Sequence, residues 1–285
     1  MVRIVLMADV HGNLPALNAV LGDLENYHPD GIIVAGDLVA GPSSNETTRC
    51  LRSLNAWMIR GNTDSGLLRF AAGEAPASYS TSRQYELLRW MRAHTDLDIL
   101  EFMRSLPEQR TVVIEGTHPI RVVHGSPTTD NENLNHNGDR GSLEQALYQI
   151  PEQVLVCGHT HEPWIVQYNH KLAVNPGSVA CPLNGDTRAQ YALLTWMTDR
   201  WHAELHAVPY DLNLIRDAFC TSGLLEEGGI LAQCFLRSIE TGYDFSLHFL
   251  NFARKIAAES GSADCDPIPD HIWELASENF NWEIQ

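Results

Sequence analysis

At 285 residues the chain is long enough to bury a sizeable core, and its composition, 44% hydrophobic and 19% charged with no low-complexity tract, excludes a disordered or fibrous protein. The formal net charge of −17 arises from 15 basic and 23 acidic side chains in residues 1–210 and from 4 and 13 in residues 211–285, so neither part offers the basic stripe that long nucleic acid or an acidic membrane surface requires. Six scattered cysteines without a C-x-x-C pair, no apolar run of membrane-spanning length and no leader-like pattern at the start lead to the expectation of a reduced, cytoplasmic protein.

In chain order, residues 4–9 form an apolar run that ends in a carboxylate and predicts a strand. Asn13 is placed to cap the helix that follows. Pro15 lies in its first turn, and Leu14, Leu17, Val20, Leu21 and Leu24 form its apolar stripe. A second apolar run at 31–37 again ends in a carboxylate. A short helix at 47–54 and a third strand at 56–62 complete a β-α-β-α-β pattern, which predicts a parallel sheet. Residues 64–106 read as helical and irregular, with Tyr85, Leu88, Trp90 and Met91 on one face. Strands resume at 110–115 and 120–124, followed by a polar loop at 128–140, a helix at 143–149 and a strand at 154–159. Closely spaced runs at 164–168, 172–175, 191–197 and 202–209 predict a second, antiparallel sheet. Beyond residue 211 the period is helical, with Leu212, Ile215 and Phe219 on one face and Phe245, Phe249, Phe252 and Ile256 on another.

The ends of the apolar runs carry the chemistry. They read Asp9-Val10-His11, Gly36-Asp37, Gly61-Asn62-Thr63-Asp64, His124-Gly125 and Gly158-His159-Thr160-His161. Ligands of open α/β sheets bind outside the carboxyl ends of the strands, so five strand ends deliver two Asp, one Asn and four His to one place. A mixed oxygen and nitrogen set without thiolate suits Mn, Fe, Zn, Ni or Co and is too nitrogen-rich for Ca or Mg. Seven such groups exceed the needs of one ion. Two ions roughly 3.5–4 Å apart that share a carboxylate fit better, and such a pair serves in-line phosphoryl displacement by an activated water.

Through these motifs the chain resembles the calcineurin-like metallophosphoesterase superfamily, whose pattern runs D-x-H, G-D, G-N-H-[ED], H and G-H-x-H. Asn175-Pro176-Gly177-Ser178 and Gly185-Asp186 are similar to the YfcE-like bacterial phosphodiesterase branch. The resemblance implies a two-sheet β-sandwich flanked by helices over residues 1–210, an αββα arrangement, with residues 211–285 as an acidic helical extension packed on the core or at a dimer interface. It implies that Asp9, His11, Asp37 and His161 hold one metal. Asp37, Asn62, His124 and His159 would hold the other, with Asp37 bridging. The ions would be divalent or trivalent, Mn or Fe favoured, and a hydroxide between them would attack a small phosphodiester. Asp37, Asn62, Asp64 and Arg60 form the expected catalytic set. Arg60 would touch a phosphate oxygen or make a surface ion pair, and Asp64 would orient a ligand or cap a helix.

One departure stands out. Where the superfamily's protein phosphatases continue Asn-His, this chain has Thr63, and a hydroxyl is a poor general acid near neutral pH. His136, in the polar loop, is an alternative proton donor. Phosphomonoesters, phosphoproteins and dinucleoside polyphosphates are the alternative substrates. A non-catalytic metal-binding scaffold, as in the retromer subunit of this fold, is the alternative of another class.

Overall fold

The computed structural model describes residues 1–134, 136–137 and 140–283. β1 (Arg3–Met7), α1 (Leu14–Leu24), β2 (Gly31–Val34), α2 (Ser44–Ser53), β3 (Trp57–Met58) and α3 (Asn62–Ala71) open the chain. α4 (Glu86–His94) and α5 (Leu97–Ser105) follow, then β4 (Arg110–Val112), β5 (Ile120–Val122), α6 (Gly141–Gln149) and β6 (Val154–Val156). The last strands are β7 (Pro163–Tyr168), β8 (Lys171–Pro176), β9 (Ala189–Met197) and β10 (Arg200–Val208).

Two five-stranded sheets form, in the orders β10-β9-β1-β2-β3 and β4-β5-β6-β8-β7. Strand alternation explains how they stack. Val5 and Met7 of β1 face α1 and α2, whereas Ile4, Leu6 and Ala8 face the second sheet. Likewise Val154 and Val156 of β6 join the core between the sheets, and Leu155 and Cys157 pack on α6. Each central strand thus feeds two cores, and the result is a helix-sheet-sheet-helix sandwich.

The division into one parallel and one antiparallel sheet does not hold, because both sheets are mixed. β1, β2 and β3 are parallel, but β9 and β10, expected in the second sheet, join this one, β9 antiparallel to β1 and β10 antiparallel to β9. The second sheet has a parallel centre, β5-β6-β8, flanked by antiparallel β4 and β7. Period-2 patterning marks a strand but not its neighbour. The third strand is also shorter than expected: pairing ends at Met58, and Asn62 already opens α3.

Beyond β10 the chain is helical: α7 (Leu212–Thr221), α8 (Leu224–Glu227), α9 (Gly229–Thr241), α10 (Phe245–Glu259) and α11 (Asp270–Asn279). Ile215, Phe219, Leu224, Ala232 and Leu236 belong to the same buried cluster as Leu17 and Val20 of α1 and Trp90 and Met91 of α4. α10 and α11 build a satellite core around Phe249, Trp273 and Phe280. Asp270 ties that core to the body of the protein by accepting from the Arg83 backbone N–H at 2.9 Å. The six cysteines are unpaired. No helix among the described residues is long and apolar enough to cross a membrane.

Candidate metal centre

All seven expected ligands meet at one edge of the sandwich. Asp9 and His11 follow β1, Asp37 follows β2, and Asn62 opens α3 after β3. From the other sheet, His124 follows β5, and His159 and His161 follow β6. The loops continue the sheet ladders: Asp9 N–H donates to Gly36 O at 3.1 Å, His11 N–H to Asp37 O at 3.0 Å, and Gly158 N–H to His124 O at 2.8 Å. The strand ends are therefore held in register rather than free.

Five of the seven expected ligands adopt left-handed backbone: Asp9 (φ 54°), His11 (40°), Asp37 (53°), His159 (69°) and His161 (57°). Each costs about 1 kcal/mol or more for a residue with a Cβ, and Asp, Asn and His tolerate it best. A cluster of such residues is a hallmark of a functional site. Glycine is required beside them for space. A Cβ on Gly61 would sit 2.1 Å from Asp37 Oδ1, and one on Gly158 would sit 2.9 Å from Asp9 Oδ2.

Backbone carbonyls orient three of the imidazoles. His11 Nδ1 donates to Val39 O at 3.0 Å, His124 Nδ1 to Ala35 O at 2.6 Å, and His161 Nδ1 to Cys181 O at 2.6 Å. Each ring thereby turns Nε2 inward, the arrangement in which the partner of the outer nitrogen sets the tautomer of a metal-binding histidine. His11 Nε2 and His161 Nε2 then face each other at 3.3 Å, with Asp9 Oδ1 3.3 Å from His161 Nε2. Two imidazole nitrogens and a carboxylate aimed at one point need a proton or a cation between them. On the other side, Asn62 Oδ1 lies 2.9 Å from His124 Nε2 and 3.0 Å from His159 Nδ1. Asp37 stands between the groups, with Oδ2 3.5 Å from His11 Nε2 and Oδ1 3.5 Å from His124 Nε2. Asp9, His11 and His161, and separately Asp9, Asp37 and His124, each have donor atoms within 4.8 Å of one another. The residues present fit a pair of transition-metal ions, and Asp9 reaches toward both clusters.

Electrostatics agree with this geometry. Burial alone would raise Asp9 and Asp37, but His161 and His124 respectively overcome it and hold both carboxyls below the ordinary range. Burial opposes protonation of His124, yet Asp37 and Asp9 lift it to about 10, and Asp9 lifts His161 well above its ordinary value. Burial keeps His11 and His159 low. Within each pair the carboxyl is thus drawn toward its ionised form and the imidazole toward its protonated form.

The remaining expected residues occupy supporting places. Asp64 is fully buried and does not reach the inward-facing ligand atoms. Its Oδ2 accepts from Gly61 N–H at 3.0 Å, and its Oδ1 accepts from Leu38 N–H at 3.0 Å and Val39 N–H at 3.2 Å. It thus braces the loop after Asp37 against the start of α3. Burial and the charge of Asp37 push its carboxyl up to about 7, against the pull of those N–H groups. Arg60 Nη2 pairs with Glu108 Oε1 at 3.0 Å. His136 stacks on Trp164 at 5.6 Å, and Asn13 caps α1 through Ala16 N–H.

Sequence reasoning missed four contributors. Thr63 Oγ donates to Asp37 Oδ2 at 2.7 Å, and its backbone N–H donates to Oδ1 at 2.9 Å. Asn175 Nδ2 donates to Gly158 O at 2.8 Å, and Ser178 Oγ donates to Asp9 O at 2.9 Å, so both lock ligand loops from below. Their place in the Asn-Pro-Gly-Ser run was a signal, but its mechanical role was not. Phe235 of α9 packs edge-on against the His11 ring at 5.7 Å, a contact no local pattern announces.

Comparison with known proteins bears on the same residues. A sequence model of the calcineurin-like phosphoesterase superfamily domain matches residues 2–199, which include every expected ligand. An uncharacterised protein of Methanocaldococcus jannaschii is 26% identical over 236 residues, covering 73% of this chain and 88% of its own length. A metallophosphoesterase from Sphaerobacter thermophilus superposes with a TM-score of 0.67 at 25% identity, covering 85% of this chain and 99% of its own. A hypothetical protein from Pyrococcus horikoshii superposes with a TM-score of 0.70 at 21% identity and the same coverage. Both solved structures cover a larger share of the chain than residues 1–210 make up, so the likeness of fold extends into the C-terminal helices. On the family match over residues 2–199, this chain belongs to the calcineurin-like phosphoesterase superfamily.

Proposed function

We propose that the protein is a two-metal phosphodiesterase acting on small substrates. The observation that carries this reading is Asp37, whose two oxygens each lie 3.5 Å from an imidazole nitrogen of a different cluster. Asp9, His11, Asp37 and His161 would hold one ion, and Asp37, Asn62, His124 and His159 the other. The mixed oxygen and nitrogen donors suit Mn, Fe, Zn, Ni or Co, and the family resemblance favours Mn or Fe among them. When bound, the pair supplies charge for the phosphoryl oxygens and an activated water for in-line attack.

The chain's own contribution is position. The carbonyls of Val39, Ala35 and Cys181 aim the imidazoles, and Asp64 and Thr63 fix the loop and carboxylate of the shared ligand. Thr63 commits its proton to Asp37, which leaves that hydroxyl unable to protonate a departing alcohol. The reading therefore favours esters whose leaving group departs without a proton. The net charge of −17 weighs against long nucleic acid as substrate.

Metal analysis of the purified protein should return two transition-metal ions per chain. Hydrolysis of bis(4-nitrophenyl) phosphate should outpace that of 4-nitrophenyl phosphate. Across a series of aryl diesters, the logarithm of the rate should fall steeply with leaving-group pKa. A flat plot, or a preference for the monoester, would overturn this reading.

A further inference from the structure

A polar cavity of about 390 Å³ opens beside Asn62 and His124, on the side of the second ligand cluster. One wall is a face of α3: Asn62, Ser65 and Arg69 follow at the i, i+3, i+7 spacing that aligns side chains along a helix. The opposite wall is the loop that begins at Ser126. That loop is braced internally, since Ser126 Oγ accepts from the backbone N–H groups of Thr128 at 3.1 Å and Thr129 at 3.2 Å.

Two groups on the α3 wall lack partners among the described residues. Ser65 Oγ is buried and makes no hydrogen bond, a state that costs about 1–3 kcal/mol unless something meets it. Arg69 is exposed and makes no ion pair or hydrogen bond with the described residues, although two carboxylates share the cavity with it. Glu108 is taken by Arg60 at 3.0 Å, and Asp130 Oδ1 accepts from Asn131 Nδ2 at 3.1 Å. Arg69 lies seven residues past Asn62, about 10 Å along the helix axis. Helical side chains lean toward the N-terminus, so a guanidinium there reaches back toward the ligand cluster. Among the described residues, the lining holds no aromatic ring other than His124, so a nucleobase would find nothing dedicated to stack on.

We infer that this cavity is the subsite for one arm of the substrate, and that it takes a short hydroxylated alcohol ending in an anionic group, a carboxylate or a phosphate. Arg69 meets the charge of that arm, and the Ser65 hydroxyl, which lies beneath the wall in this structure, turns by one rotamer to meet its hydroxyl. The inference rests on the phosphoesterase reading above, because it places the ester phosphate beside Asn62 and His124. It also separates this chain from a hydrolase of dinucleoside polyphosphates, whose arms end in bases.

The test is calorimetric binding to the metal-loaded full chain, with two probes that differ in one group. 3-Phosphoglycerate carries a carboxylate where glycerol 3-phosphate carries a hydroxymethyl. The wild type should bind 3-phosphoglycerate about 10- to 100-fold more tightly, the range of a hydrogen bond to a charged group. R69A should bring the ratio to about one, and R69K should keep part of it, since an ammonium keeps the charge but not the fork. S65A should weaken both probes and leave the ratio intact. A purely structural Arg69 would lower both affinities together. Equal binding of the two probes by the wild type, or a ratio that survives in R69A, would overturn the subsite. Bis(4-nitrophenyl) phosphate, whose arms carry no charge beyond the diester, keeps the two readings apart. If it is hydrolysed while the probes bind alike, only the subsite fails; if it is not hydrolysed, the phosphoesterase reading fails.

Discussion

Thr63 holds Asp37 at both oxygens, its hydroxyl donating to Oδ2 at 2.7 Å and its backbone N–H to Oδ1 at 2.9 Å. The position where superfamily phosphatases carry a proton-donating histidine is thus used here to orient the Asp37 carboxylate. Thr63→Ala removes one of the two donors. Metal affinity, read by competition with a chelator, should fall about 10- to 100-fold, the usual cost of losing an outer partner of a ligand. Thr63→Ser should restore most of it, because the hydroxyl returns. Unchanged affinity in the alanine variant would show that the backbone N–H suffices.

Asp37→Asn tests the bridge itself. The amide offers one oxygen and turns an N–H₂ toward one cluster or toward Thr63, whose own donors already face that side chain. Occupancy should drop to one ion per chain or fewer, and diester hydrolysis should fall by about three orders of magnitude, several kcal/mol of lost charge stabilisation. Full occupancy with full turnover would remove Asp37 from the shared position.

The metal-free centre carries its own pH dependence. The raised value of His124, about 10 against an ordinary 6.5, means that its pairing with Asp37 stabilises the metal-free fold fully below pH 6.5 and is lost as pH rises toward 10. His161 beside Asp9 acts in the same direction. Metal must displace both protons, so uptake should strengthen as pH rises from about 6 to about 8 and release protons to the buffer. Titration calorimetry in two buffers of different ionisation enthalpy reads that release. A metal affinity that does not change over this range would mean that the imidazoles are already neutral.

The C-terminal helices share the first core, and that has a cooperative consequence. Phe219 is fully buried among residues of α1, α4 and α9. Phe219→Ala should cost about 3–5 kcal/mol. Scanning calorimetry should show one transition moved to lower temperature, with the sandwich unfolding alongside the helices. A separate early transition that leaves the remainder at its original midpoint would mark residues 211–285 as an independent unit.

The convergence of the expected ligands was legible in the sequence because each lies at or just beyond the end of an apolar run. A buried strand leaves its layer at a defined point, and Asp9, Asp37, Asn62, His124, His159 and His161 stand at such points. Helices with strong stripes and caps were equally legible: Asn13 caps α1 as its spacing suggests, and Leu17 and Val20 are buried on the expected face. The destination of β9 and β10 was not. Their alternation states that one face is buried, but the partner is chosen by the free edge of β1, more than 180 residues away in the chain.

The same distinction runs through the centre. The sequence alone determined the residue types, their order and the glycines that let them approach, because those follow from local backbone chemistry. Only the tertiary structure decided what each group does there. It set Thr63 as a clamp on Asp37, paired Arg60 with Glu108, left Arg69 beside the cavity without a partner among the described residues, and brought Phe235 of the C-terminal helices against His11. Those relations are hydrogen bonds and contacts between segments remote in sequence or turned by one helix face, and the packing of two sheets and their flanking helices sets them.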